Sequence, residues 1–406
     1  MKSLNYDELI LLNNLIYLEW DACEGEKLFN IVQNILSGNN LEILMDKMSN
    51  CIGTMTKYEW INILNLILED SNMESIKVSN IENNKSGMRA ACFIYDEDTA
   101  YVVFRGTTTV KEWEDNGQGV YEYDTKQQIY ALDYINKLKY KNIIVSGHSK
   151  GGNKAQYVAI RCPKVNKCIS INGQGFSNEF IEKYKDEIEQ NKKKIISINS
   201  KYDYVNCLFN TIAGEIHYYK TDFQINPLYY HKANLLIDKN GRLNDETTRS
   251  IFSKIINDFT TSLLSDLPME LKFITADGIT SGIESLLCGK DSSDKALKIL
   301  SSVFIVLTYG RYFKMKEALS LGYTALQMAI IPLLFWGNFI TIEETHSNAM
   351  YTELIDDIEE KYNTLIKKFK INEDNKSNIS LRISNTFSTF INKLKSNKEI
   401  LELNDN

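Results

Sequence analysis

The segment Val145-Ser146-Gly147-His148-Ser149-Lys150-Gly151-Gly152-Asn153 constrains this chain more than any other. It carries Gly-x-Ser-x-Gly, with "NIIVS" (142–146) before it and "GGNKAQYVAI" after it. The first reads as a short apolar strand buried on both faces, the second as a helix over about 150–161. A strand that runs straight into a helix must turn sharply. The turn lifts the serine hydroxyl off the sheet edge, and glycines at 147 and 151 remove side chains that would collide across it. Ser149 is therefore the candidate nucleophile. Its plain alternative is a helix N-cap, a frequent place for serine, which leaves the flanking glycines without a reason.

Around this elbow the chain alternates. Residues 1 to about 75 read as helical, with Leu9, Leu12 and Ile16, then Ile61, Leu64 and Leu68, at helical spacing and a cap near Asn5. "ACFIY" and "AYVVF", joined by Asp96-Glu97-Asp98, read as a hairpin. A helix follows over 126–139, with Ile129, Leu132, Ile135 and Leu138 as its expected buried stripe. "KCISIN" (167–172), "KIISIN" (194–199) and "EIHYYK" (215–220) supply further strands. Strands alternating with helices predict an α/β core over roughly 80–245: a mostly parallel sheet with helices on both faces. Past 246 the strands stop. The expected division is a domain over 1–245 and a helical region over 246–406, in which Ile355, Ile358, Tyr362, Leu365 and Phe369 form a heptad-like stripe.

Totals exclude several classes. A net charge of −7 without a basic stripe gives no reason to expect a nucleic-acid partner. Seven cysteines at irregular spacings read as free thiols in a reducing compartment. Four histidines, none at ligand spacing from a cysteine or another histidine, make a zinc site improbable, and no metal or organic cofactor is implied. The N-terminal apolar stretch is interrupted by Asp7 and Glu8 and has no small-residue cleavage site after it. It reads as an amphipathic helix rather than a signal peptide, so the expected location is cytoplasmic.

An activated serine needs an imidazole to take its proton and a carboxylate to orient that imidazole. On a strand–elbow–helix scaffold they follow the serine, acid first and histidine last. Asp203 lies just past "KIISIN", where a strand's C-terminal loop presents it at the ligand edge, and His231 lies in "YYHKANLL" beyond the strands. His217 is the competing base, placed inside a strand; Asp222 is the competing acid. An anionic intermediate requires backbone N–H donors. One is the amide of Lys150 at the helix N-terminus; only that amide is needed, and the ammonium is expected in solvent. The loop after "VVF" offers Gly106 and Thr107 for the second. Arg105 is expected to be a structural ion-pair partner.

Taken together, "FRGTTTVKEWED" (104–115) and "GHSKGGN" (147–153) resemble the class 3, fungal-type lipases of the α/β-hydrolase superfamily. With "YDELILLNNLIYLEWD" (6–21) and "INGQGFSNEF" (171–180), the second motif is similar to a bacterial family of uncharacterised lipase-like proteins. The resemblance covers about 1–245. It implies Ser149, Asp203 and His231 as nucleophile, acid and base, Thr107 as the second oxyanion donor, and a lid at about 108–123 carrying Trp113. Asn172 and Gln174 stand where that bacterial family commonly has aspartate and proline.

The expected activity is cleavage of a carboxylic ester, lipid-like in character, through an acyl-enzyme on Ser149. The same residues would serve acyl transfer, and a catalytically idle scaffold is the reading from a different class. Residues 318–342 run for 25 positions without a charge, long enough to cross a bilayer. Gln327, Pro332 and Asn338 interrupt the run, so packing in a helical core is preferred over a membrane association.

Overall fold

The computed structural model describes residues 3–48, 55–84, 87–107, 123–225, 227–267, 272, 331–332, 334–371 and 378–403. It divides into two compact units, the first comprising Met1–Asn206 with Asn210–Thr248, the second Cys207–Phe209 with Arg249–Asn406.

In the first unit, helices α1 (Tyr6–Leu15), α2 (Leu28–Leu36), α3 (Asn40–Lys47) and α4 (Lys57–Glu69) precede most of the sheet, with the two-residue strand β1 (Glu26–Lys27) among them. Reciprocal capping fixes two of their starts. The Asn5 side chain accepts from the Glu8 amide while Glu8 accepts from the Asn5 amide, and Thr56 and Glu59 do the same for α4. Strands β2 (Lys77–Asn83), β3 (Arg89–Ile94) and β4 (Thr99–Phe104) form an antiparallel meander, including the hairpin expected across Asp96–Asp98. Then come α5 (Lys126–Lys137), β5 (Asn142–His148), α6 (Lys150–Arg161), β6 (Val165–Ile171), α7 (Asn178–Lys183), α8 (Lys185–Asn191), β7 (Ile195–Ser200), β8 (Glu215–Tyr219) and the short β9 (Glu246–Thr247).

Among the described residues these nine strands make one sheet in simple sequential order. Pairs from β4 to β8 are parallel, and β8–β9 is antiparallel. Sequential parallel strands joined by crossovers of one hand put every crossover helix on the same side. Val102, Phe104, Ile143, Val145, Cys168 and Ile195 accordingly point into a core built with α5, α6, α7 and α8. Their neighbours Tyr101, Val103, Ile169, Ile171, Ile196 and Ile198 point the other way, into a core built with α1 to α4. Helices do cover both faces, but the second face is covered by the N-terminal helices rather than by alternating crossovers. A helix enclosed between sheet and helices has no solvent side, which is why every residue of α1 from Glu8 to Leu15 is buried.

The expected stripe on α5 holds at Ile135 and Leu138, which are buried, and at Leu132, which packs against the core, but fails at Ile129. Ile129 is 42% exposed, whereas Gln128, Ala131, Tyr134 and Ile135 face inward. Polar partners pull the helix round: Gln128 donates to Asn153 Oδ1 (2.8 Å), and the Tyr134 hydroxyl donates to the Asn80 carbonyl (2.6 Å). His231, placed beyond the last strand from the sequence, precedes β9 in the chain.

The second unit is helical among its described residues: α9 (Ile251–Asp266), α10 (Trp336–Thr345), α11 (Asn348–Ile371) and α12 (Asn378–Leu403). Phe259 stacks on Phe390 and Tyr362 on Phe387, with ring centroids 4.5 and 4.1 Å apart. Ile355, Ile358 and Tyr362 of the heptad-like stripe are buried. Of the uncharged run, 318–330 and 333 lie outside the described residues, and Trp336, Phe339, Ile340 and Ile342 are buried on α10. No helix among the described residues is long and apolar enough to cross a membrane.

Candidate active site

Ser149 joins β5 to α6 with φ 58° and ψ −125°. A non-glycine residue held there costs about 1–3 kcal/mol, which the surroundings must offset. They do so by close approach. A Cβ on Gly147 would lie 2.1 Å from the carbonyl carbon and oxygen of Gly151, and one on Gly151 would lie 2.1 Å from the Phe104 oxygen. The Ser149 amide donates to the Ile171 carbonyl at 3.0 Å, tying the turn to β6. The Ser149 side chain makes no capping hydrogen bond to α6, so the N-cap alternative does not account for it.

Asp203 follows β7 and is fully buried. Its Oδ1 lies 2.8 Å from His231 Nδ1, and the amides of Val205 (to Oδ1, 3.2 Å) and Asn206 (to Oδ2, 2.9 Å) also donate to it. The approach to this turn is set from the residue just past β6: Asn172 Oδ1 accepts from the Ser200 amide (2.7 Å). His231 ends a 3₁₀ turn over Pro227–His231 and is 1% exposed. Its following residue, Lys232, bridges both carboxylate oxygens of Glu59 on α4 at 3.1 and 3.2 Å, pinning this loop to the N-terminal helices. Thus the structure brings Asp203 and His231 into direct contact, and the His231 ring lies 4.6 Å, centroid to centroid, from that of His148, the chain neighbour of Ser149.

A Cβ on Gly106 would stand 3.2 Å from Ser149 Cβ, so the loop after β4 runs past the elbow with the buried Thr107 next in line. Arg105 is buried and donates to Glu19 Oε1 (2.8 Å) and to the Gly87 carbonyl (2.8 Å), a structural role. Lys150 departs from expectation. Its side chain is buried, not solvated, because α6 is enclosed from Lys150 through Ile160. Trp113 and residues 108–122 of the expected lid lie outside the described residues. Asp222 is exposed, and the acid bonded to His231 is Asp203.

His217 sits on β8, with Nδ1 2.6 Å from Glu246 Oε1 and Nε2 2.7 Å from Glu215 Oε1. Two carboxylates can only accept, so the imidazole satisfies both when doubly protonated. The Glu246 hydrogen bond, aided by Glu215, raises its pKa above the ordinary histidine value. A raised folded-state pKa contributes stability that is fully present below the unfolded value, about 6.5, and is lost as pH rises through the folded one. The melting-temperature gap between the wild type and His217→Asn should therefore be widest below about pH 6.5 and close at higher pH. A gap independent of pH would contradict this bridge.

Sequence reasoning passed over His148 and Asn153. Asn153 accepts from Gln128, and its amide nitrogen reaches the carbonyls of Gln174 and Gly175 at 3.3 and 3.2 Å, tying the first turns of α6 to two neighbouring segments. Its signal was the closing asparagine of GHSKGGN, which chemistry alone does not demand.

Residues 70–269 match the family model described as Mbeg1-like. The sheet and its flanking helices define an α/β fold. Among solved structures, M37 lipase is similar at 14% identity and TM-score 0.26, covering 50% of this chain and 70% of that one; so slight a likeness carries no weight below. No curated protein matches the sequence significantly.

Proposed function

We propose that this chain is a serine hydrolase that cleaves carboxylic esters, lipid-like in character, with Ser149 as nucleophile, His231 as base and Asp203 as the acid that orients it. The observation that carries the reading is the buried Asp203–His231 hydrogen bond, 2.8 Å long, together with a serine held at a positive φ on a strand-to-helix turn. With Nδ1 engaged by Asp203, Nε2 of His231 is the nitrogen left to take the Ser149 proton. Ser149 Oγ attacks the ester carbonyl, and the oxyanion is met by the Lys150 amide and a donor from Thr107. His231 returns the proton to the leaving alcohol, giving an acyl-enzyme. Water, deprotonated by His231, then releases the carboxylic acid and restores Ser149, so one ester and one water yield one acid and one alcohol. None of these steps requires a metal or an organic cofactor.

The test is turnover of a series of p-nitrophenyl esters of increasing acyl length by the purified chain. A burst of p-nitrophenol equal to the enzyme concentration, followed by slower steady release, is the expected signature of an acyl-enzyme. Absence of turnover across the whole series, with and without detergent, would defeat the proposal.

A further inference from the structure

Two features that the proposed chemistry leaves without a task, the N-terminal segment 6–21 and the histidine before the nucleophile, meet in one chain of hydrogen bonds. His148 is buried. Its Nε2 lies 2.8 Å from the backbone oxygen of His231, and its Nδ1 lies 2.7 Å from the Tyr17 hydroxyl oxygen. A carbonyl only accepts, so Nε2 carries the proton and donates. Nδ1 is then the acceptor, and the Tyr17 hydroxyl donates to it. Burial first, and repulsion from His231 second, hold the His148 pKa well below the ordinary histidine range, so the ring is neutral and its tautomer is single.

Packing closes the arrangement. The Tyr17 and His148 rings meet edge to face with centroids 5.7 Å apart. The Tyr17 hydroxyl fills space that only glycine leaves, since a Cβ on Gly106 would lie 2.2 Å from it. Behind it, Asn13 on α1 donates to Ser146 Oγ on β5 (2.5 Å), fastening the N-terminal helix beneath the elbow. The N-terminal segment, the loop after β4, the elbow and the His231 loop therefore converge on one set of contacts.

The geometry points to His148 as a positioning residue that Tyr17 locks in its Nε2–H tautomer and that holds the main chain of His231, a role resting on the hydrolase reading above. Asp203 orients the His231 ring through Nδ1, whereas His148 fixes the backbone from which that ring projects. His148 touches neither substrate nor the transferred proton. Losing one restraint while keeping the other lets the base drift, and a drift of about 1 Å costs on the order of 10²-fold in rate.

The variants separate this role from bulk packing. His148→Gln keeps an N–H where Nε2 stands, His148→Leu keeps volume without a donor, and Tyr17→Phe removes only a hydroxyl. We expect kcat for a turned-over ester to fall roughly 30- to 100-fold in His148→Leu, roughly tenfold in Tyr17→Phe and less than about fivefold in His148→Gln, with KM within about twofold throughout. Wild-type kcat in a folded His148→Leu, or equal losses in the Leu and Gln variants, would overturn it. Long-range proton–nitrogen correlation of histidine-labelled wild-type protein reads the tautomer without turnover. A neutral His148 protonated on Nε2 from about pH 6 to 8 is expected; an Nδ1–H form, or titration near the ordinary value, overturns the lock even in an active enzyme. If the tautomer is as described but no ester is turned over, it is the hydrolase reading that fails, and the positioning role falls with it.

Discussion

Ser149→Ala should lower ester turnover by about 10⁴- to 10⁶-fold while leaving the melting temperature within a few degrees of wild type. The hydroxyl makes no capping bond to α6, so its removal costs the fold little, whereas the proposed acyl-enzyme cannot form without it. His231→Ala should lose about as much, and the double variant scarcely more than either, because nucleophile and base act as one unit. His217→Ala, on the far side of β7 in the strand order and paired with Glu215 and Glu246, should stay within a few-fold of wild type. Ester turnover with purified variants measures all four. Near-normal activity in Ser149→Ala would refute the mechanism, and a loss in His217→Ala equal to that in His231→Ala would transfer the base to His217.

Gly147→Ala and Gly151→Ala should each destabilise the chain by about 4 kcal/mol or more, or prevent its folding. In both cases the new Cβ would stand 2.1 Å from backbone atoms, of Gly151 and of Phe104 respectively. Neither clash can be relieved by a side-chain rotation; β4, β5 and α6 would have to separate. Gly25→Ala is the control. Its φ is 78°, but nothing lies within 4 Å of the added methyl, so only the left-handed strain of about 1–2 kcal/mol should appear. Urea unfolding of the three variants checks the ranking. A Gly151→Ala protein as stable as wild type would mean the elbow is not packed as described.

These two sets of variants probe the part of the molecule that was most legible in the sequence. A continuous apolar strand, a glycine-flanked serine and a helix are local signals, and β5, Ser149 and α6 lie where they indicated. Asp203 and His231, named from their order along the chain, from their places beyond strands and from the lipase resemblance, are hydrogen-bonded to each other. What sequence periodicity missed was polar or non-local. The inner face of α5 is chosen by Gln128 and Tyr134 finding partners on α6 and β2, so counting apolar positions put Ile129 on the wrong side. Burial of Lys150 follows from the enclosure of α6 from Lys150 through Ile160, which no local window reveals. The covering of one sheet face by α1 to α4 depends on every crossover helix falling on the other, a property of strand order rather than of any segment. His148 escaped notice for a similar reason: its partners are 131 and 83 positions away in the chain.

The most direct test of the account is fluorophosphonate labelling of the purified wild type beside Ser149→Ala, read by intact mass and peptide mapping. The account predicts one adduct per chain, on Ser149, in the wild type alone, because only a serine whose proton has a base to go to attacks phosphorus at a useful rate. A folded wild-type protein that takes no adduct with detergent present, or an adduct that persists in Ser149→Ala, would contradict it.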